Sequence, residues 1–203
     1  MPRDYQIIKE IDRWRICLGR HIKELTSFTG QRACDIRLKK LIDTGYINRK
    51  KVLYGIPSIY NLTNKSKILV PEVNLQSKIR IEQITHDIAV LDTAIFLHKT
   101  RNIPYNAIQT EKELHRKDGF GTRKHRPDFV YTKDRQNICT EIELSLKAKH
   151  RLEQNIKSNF LAYDNQLWIV PDRQHKITSI LEENSITYSN IEIIELKEVQ
   201  KNA

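Results

Sequence analysis

Apolar residues recur along this chain with two different periods. In "YQIIKEIDRWRICL", Ile7, Ile8, Ile11, Trp14 and Leu18 form a stripe at helical spacing, which predicts a first helix with one apolar face. "RHIKELTSF" predicts a shorter second helix with Ile22 and Leu25 inward, and "SFTG" supplies a turn with Ser27 or Thr29 as N-cap candidates. "GQRACDIRLKKLIDTG" predicts a third, with Ala33, Ile36, Leu38 and Leu41 facing in and Gln31, Arg32, Asp35 and Lys39 facing out. Gly45 closes it as a C-cap residue. The pattern then changes. Tyr46–Asn48 and Ile56–Leu62 are β-prone segments joined by a basic, glycine-containing turn.

The polar, proline-containing stretch "TNKSKILVPEVNLQSK" marks a boundary. It divides the chain into residues 1–70, a linker at 71–77, and residues 78–203. "IRIEQITHDIAVLDTAIFLHKTRN" predicts a long helix with Ile84, Ile88, Leu91, Ile95 and His98 on one face, and Lys99 and Arg101 placed to suit its C-terminal dipole. His86 reads as a polar residue at a packing edge. Beyond residue 103, strands alternate with helices. "FVY" and "ICTEIEL" are strands joined by "TKDRQN", and "LKAKHRLEQNIKSNFLAY" is a helix with Leu152, Ile156 and Phe160 inward. "QLWIVP" is a strand, "RQHKITSILEEN" a helix and "IEIIEL" a last strand. The class is α/β, with α+β character. No GxGxxG, Walker loop or internal repeat supports nucleotide binding.

Charge sharpens this division. The net charge is +10, and residues 1–70 carry 15 Lys and Arg against 6 Asp and Glu, a net +9. Residues 71–203 carry 20 against 19, a net +1. A basic module joined to a neutral one points to a polyanion partner, with double-stranded DNA first in line. A third helix bearing Arg32, Arg37, Lys39 and Lys40, followed by a ribbon bearing Arg49, Lys50 and Lys51, is the pattern of a winged helix-turn-helix. Such a module sets the helix in the major groove and the loop against phosphates. Gln31, Arg32 and Asp35 stand where base edges are read. The competing reading is a winged helix used for protein contacts.

No run approaches the roughly 18 apolar residues of a membrane span, and "MPRDYQIIKEIDRW" has charges where a signal peptide would have an apolar core. The expected location is cytoplasmic. Cys17, Cys34 and Cys139 are far apart with no CxxC pair, so they predict reduced packing residues rather than a zinc site or a disulfide framework.

The chemistry-bearing stretch is "HRPDFVYTKDRQNICTEIELSLKAKHR". Alternation along a strand sends Glu141 and Glu143 to one face and Ile142 and Leu144 to the other, with Asp128 opening the neighbouring strand. These three carboxylates have the composition of a Mg²⁺ site for nucleic-acid cleavage, with Lys147 or Lys149 to orient water or offset phosphate charge. Equally, the acids can pair with Arg126, Lys147, Lys149 or Arg151. Like charges on one strand face need something positive between them.

Locally this stretch resembles the PD-(D/E)XK nuclease fold, except that Glu143 stands in the lysine position. More broadly, the basic module followed by "HDIAVLD", "TEKEL", "HRPDFVYT", "EIELSLKAKHR" and "LWIVP" resembles the replication-relaxation family of plasmid and integrative-element proteins over most of residues 5–171. The resemblance implies a DNA-binding winged helix fused to a degenerate nuclease-like domain, acting in relaxation, mobilisation or replication beside a relaxase or helicase. It matches Glu111 of "TEKEL" to the acid of the first helix, Asp128 to the proline-aspartate, and Glu141 and Glu143 to the acid pair, so these four are the candidate metal ligands. The expectation is a binding protein rather than an enzyme, with no required cofactor. Its second module would dock a partner or the DNA, or pair with another copy as a homodimer. The alternatives are a Mg²⁺-dependent nuclease using Asp128, Glu141, Glu143 and Lys147, and a winged-helix transcriptional regulator.

Overall fold

The chain is a mixed α/β protein, and the computed structural model describes residues 2–73, 79–118, 125–146, 148–173 and 175–203. It divides into two compact units, Met1–Leu91 and Asp92–Ala203. The division falls inside a helix, later than the expected linker at 71–77, of which residues 74–77 lie outside the described residues. The packing explains this: Ile84 is buried with Ile16, Leu18 and Ile59, and Ile79 and Ile88 lie against them.

In the first unit, α1 (Pro2–Trp14) buries Ile7, Ile8, Ile11 and Trp14. It stops at Arg15, whose φ of 70° is left-handed, and Ile16 N–H turns back to the Trp14 carbonyl at 2.8 Å. Leu18 therefore belongs to β1 (Cys17–Leu18) and not to the helix stripe expected for it. Next come α2 (Gly19–Leu25), α3 (Gln31–Asp43), β2 (Ile47–Lys50) and β3 (Ile59–Leu62). The ribbon is a three-stranded antiparallel sheet in the order β1-β3-β2 rather than two strands, because Cys17 and Leu18 pair with Tyr60 and Ile59.

Gly45 closes α3 as expected. At φ 76° it donates to the Ile42 carbonyl at 2.8 Å, and Tyr46 N–H reaches the Leu41 carbonyl at 2.9 Å. This pair of bonds satisfies the last carbonyls and turns the chain straight into β2. A single helical turn, α4 (Ser66–Leu69), follows the sheet.

Helix α5 (Ile84–Arg101) buries Leu91 and Ile95 as expected, and also Asp92, Thr93, Ala94, Phe96 and Leu97. His98 is exposed rather than inward, and its Nδ1 lies 3.0 Å from the Ile103 carbonyl. The second unit continues with β4 (Ile108–Thr110), α6 (Glu111–Asp118), β5 (Phe129–Lys133), β6 (Gln136–Ile142), α7 (Lys149–Ala162), β7 (Asn165–Val170), α8 (Lys176–Ser185), β8 (Ile191–Glu195) and α9 (Leu196–Asn202). Its five-stranded sheet runs in chain order, antiparallel from β4 to β6 and parallel from β6 to β8. Every residue of β6 from Cys139 to Ile142 and of β7 from Gln166 to Val170 is buried, so both faces of these segments are covered. Trp168 and Val170 of β7 pack with Leu152 and Ile156 of α7 and Ile177 and Leu181 of α8.

Cys17, Cys34 and Cys139 are free and buried, and burial pushes all three thiols up, Cys34 to about 11. Among the described residues no helix is long and apolar enough to cross a membrane.

Candidate functional site

Two places gather the residues singled out by sequence. The first is α3 with the β2–β3 hairpin. Gly30, in extended backbone, is the N-cap residue in place of Ser27 or Thr29, and Ser27 lies in a left-handed turn at φ 50°. The buried side of α3 is Cys34, Leu38 and Leu41, spaced four and three apart. Ala33 and Ile36, expected inward, are exposed, because the Cys34 stripe displaces theirs by part of a turn.

Gln31, Arg32, Asp35, Lys39 and Lys40 are exposed, as are Arg49, Lys50 and Lys51. Three of these interact locally. Gln31 donates to Asp35 at 2.8 Å, and Lys51 Nζ donates to the Ile56 carbonyl across the loop at 2.7 Å. Tyr54, at the tip of that loop, is fully exposed beside Gly55, whose φ is 78°.

Arg37 behaves differently from its neighbours. Its Nε and Nη2 both donate to the Asp4 carboxylate on α1, a bidentate pair that ties the two helices together. Arg37→Ala is therefore expected to lower the stability of the first unit by about 1 kcal/mol, read as a shift of its urea midpoint. The salt dependence of any DNA binding should stay that of the parent.

The second place is the end of β5 and β6. Phe129 pairs with Thr140, which sets Asp128 across from Glu141. The Asp128 backbone carbonyl accepts the N–H of Glu111 at 2.8 Å, and its Oδ2 accepts the N–H of Ile142 at 2.7 Å. Glu141 is only 8% exposed. Its Oε1 lies 2.5 Å from His125 Nε2 and accepts from Asn159 Nδ2 at 2.9 Å. Burial pushes the Glu141 carboxyl above its ordinary range, and the charge of Asp128 adds to that. Burial alone would lower the His125 imidazole. The hydrogen bond and charge of Glu141, with the charge of Asp128, outweigh it and raise the pKa.

The remaining candidates sit around this pair. Glu143 follows β6 and is half-buried, its N–H donating to the Ile169 carbonyl at 3.0 Å. Glu111 heads α6, 3.7 Å from His115 one turn on. Two residues away, Glu113 completes a capping box: its Oε2 accepts from the Thr110 N–H at 2.7 Å, and its own N–H lies 3.4 Å from Thr110 Oγ1. Lys147 lies outside the described residues. Among those described, no group of three or more His, Cys, Asp or Glu side chains is placed to hold a metal ion.

No protein-family model matches this chain, and neither does any curated protein. Of the basic partners weighed for the acids, Arg126 bonds to Asp118 at 2.8 Å and Lys149 reaches Glu183 at 3.3 Å. The partners that Glu141 does have, His125 and Asn159, were not picked out from sequence. Asn159 carried a signal, because it extends the Leu152, Ile156 stripe of α7 by three residues. Phe160, assigned to that stripe, is instead 39% exposed and packs at a tilt against Tyr188 with ring centroids 5.0 Å apart.

Proposed function

We propose that the first unit is a winged helix that grips double-stranded DNA, with α3 in the major groove and the β2–β3 loop against flanking phosphates. In this reading the chain is an accessory protein of a plasmid or integrative element, acting in relaxation, mobilisation or replication beside a relaxase or helicase. One observation carries it. The exposed side of α3 and the β2 arm that directly follows it present Arg32, Lys39, Lys40, Arg49 and Lys50 outward, the pairing of helix and ribbon that this mode of binding needs. The mobile-element setting rests on the motif resemblance. The order α5, β4, α6, β5, β6, α7, β7, with Asp128 immediately before β5 and Glu141 on the antiparallel β6, supports it.

The second unit reads as a nuclease-like scaffold rather than a nuclease. The Glu141 carboxylate holds His125 and Asn159, Asp128 holds a backbone N–H, and Glu143 stands where a lysine would serve the attacking water.

The test titrates the full chain onto duplexes from the host element's origin, from its own promoter and from unrelated DNA, between about 50 and 200 mM salt. The origin duplex should bind tightest, with log Kd linear in log salt. Lys50→Ala should lower that slope by about 1. Absence of binding, or no salt dependence, overturns the proposal, and preference for the promoter favours a transcriptional regulator. Supercoiled plasmid should remain uncut with Mg²⁺. Metal-dependent cleavage lost in Asp128→Ala/Glu141→Ala would make the second unit an enzyme.

A further inference from the structure

The exposed side of α3 holds a side chain that charge alone does not explain. Ile36 is 64% exposed, on a helix whose buried side is supplied by Cys34, Leu38 and Leu41. Residues three and four positions away are a helical residue's surface neighbours. For Ile36 these are Arg32, Ala33, Lys39 and Lys40, all exposed. An isoleucine and an alanine methyl therefore sit in the middle of a ring of three cations.

A purely electrostatic grip on phosphates needs no apolar centre. A face that reaches the floor of the major groove does, because there each thymine presents a C5-methyl group that discriminates it from every other base. The flanking lysines and arginine suit the phosphates on either side of the groove. Gln31 and Asp35, joined by their 2.8 Å hydrogen bond on the N-terminal side of Ile36, offer a fixed polar pair beside it.

We infer that Ile36 is a specificity-determining residue that packs on a thymine methyl in the DNA site. The inference rests on the DNA-binding reading and goes beyond it by naming the base that the centre of α3 selects. The contact removes one methyl-sized group from water on each side. Burying such a group is worth about 0.8 kcal/mol, or roughly fourfold in affinity.

The experiment first selects bound duplexes from a randomised pool with the full chain. Each thymine of the selected site is then replaced singly by deoxyuridine, which deletes the methyl and leaves the base-pairing edge intact. The parent should lose about fourfold at one or two thymines, and Ile36→Ala should bind the thymine and deoxyuridine duplexes equally. Far-ultraviolet circular dichroism establishes that the variant is folded, as expected for truncation of an exposed side chain. If a site is selected but no thymine methyl matters, or if the sensitivity persists in Ile36→Ala, the inference falls and the DNA-binding reading stands. If no duplex is retained at all, both fall.

Discussion

Replacing His125 with alanine is expected to cost the second unit about 3 kcal/mol at pH 7. The mechanism is specific: Glu141 is 8% exposed and 2.5 Å from the imidazole, and removing one partner of a buried pair leaves the other charge uncompensated, typically at 3 to about 5 kcal/mol. The low end applies because Asn159 still donates to Glu141, and because a carboxyl already raised by burial can take up a proton. Glu141→Gln should cost less, since it removes the charge while retaining a group that Asn159 and His125 can hydrogen-bond.

The pH dependence follows from the direction of the shifts. Both folded-state pKa values are raised, Glu141 from 4.5 and His125 from 6.5. A group that binds its proton more tightly when folded contributes stability that is complete below its ordinary pKa and is lost as pH rises through the raised one. The parent should therefore lose stability as pH climbs above about 6.5, and Glu141→Gln, which deprives His125 of its charged partner, should be flatter there. Urea unfolding followed through Trp168, in a Trp14→Phe background, measures both effects. Parallel stability curves for parent and Glu141→Gln from pH 6 to about 9 would refute the coupling.

The second large effect concerns the proposed DNA-binding face. Arg32→Glu combined with Lys39→Glu should weaken duplex binding by about a hundredfold at physiological salt. The double reversal changes the face by four unit charges, each worth up to about 1 kcal/mol against a phosphate at contact in a water-like dielectric. Roughly 3 kcal/mol is about two decades in Kd. The salt slope should fall as well, since fewer counterions are released. Both residues are exposed, so the fold should persist, and an unchanged Kd in a folded variant would remove α3 from the interface.

The elements that sequence made legible were those whose signals are local. Gly45 could be read because a left-handed C-cap favours that residue, and the strands bearing Trp168 and Ile193 because short, β-branched-rich segments bounded by turn residues favour a strand. Where two stripes compete, spacing alone misleads. Counting Ala33 and Ile36 as inner residues ignored Cys34, which packs as a small hydrophobe, and so hid the apolar centre of the exposed side. Leu18 fits the α1 spacing, yet Arg15 breaks the helix through a left-handed backbone angle that no spacing rule detects. The acids were found, but their meaning depended on tertiary partners. His125 lies before the proline-aspartate and Asn159 lies 18 residues from Glu141, and only the fold brings the three together.

The buried thiols have a practical consequence. A cysteine reacts with disulfide reagents as the thiolate, and here Cys17, Cys34 and Cys139 are all solvent-shielded and held in the thiol form by burial. Modification then has to wait for the surrounding structure to open, so its rate becomes a clock for local unfolding rather than a measure of thiol chemistry. Cys17 and Cys34 time the first unit and Cys139 the second. The native chain thus carries its own pair of opening-rate reporters, one set in each half, without any label having to be introduced.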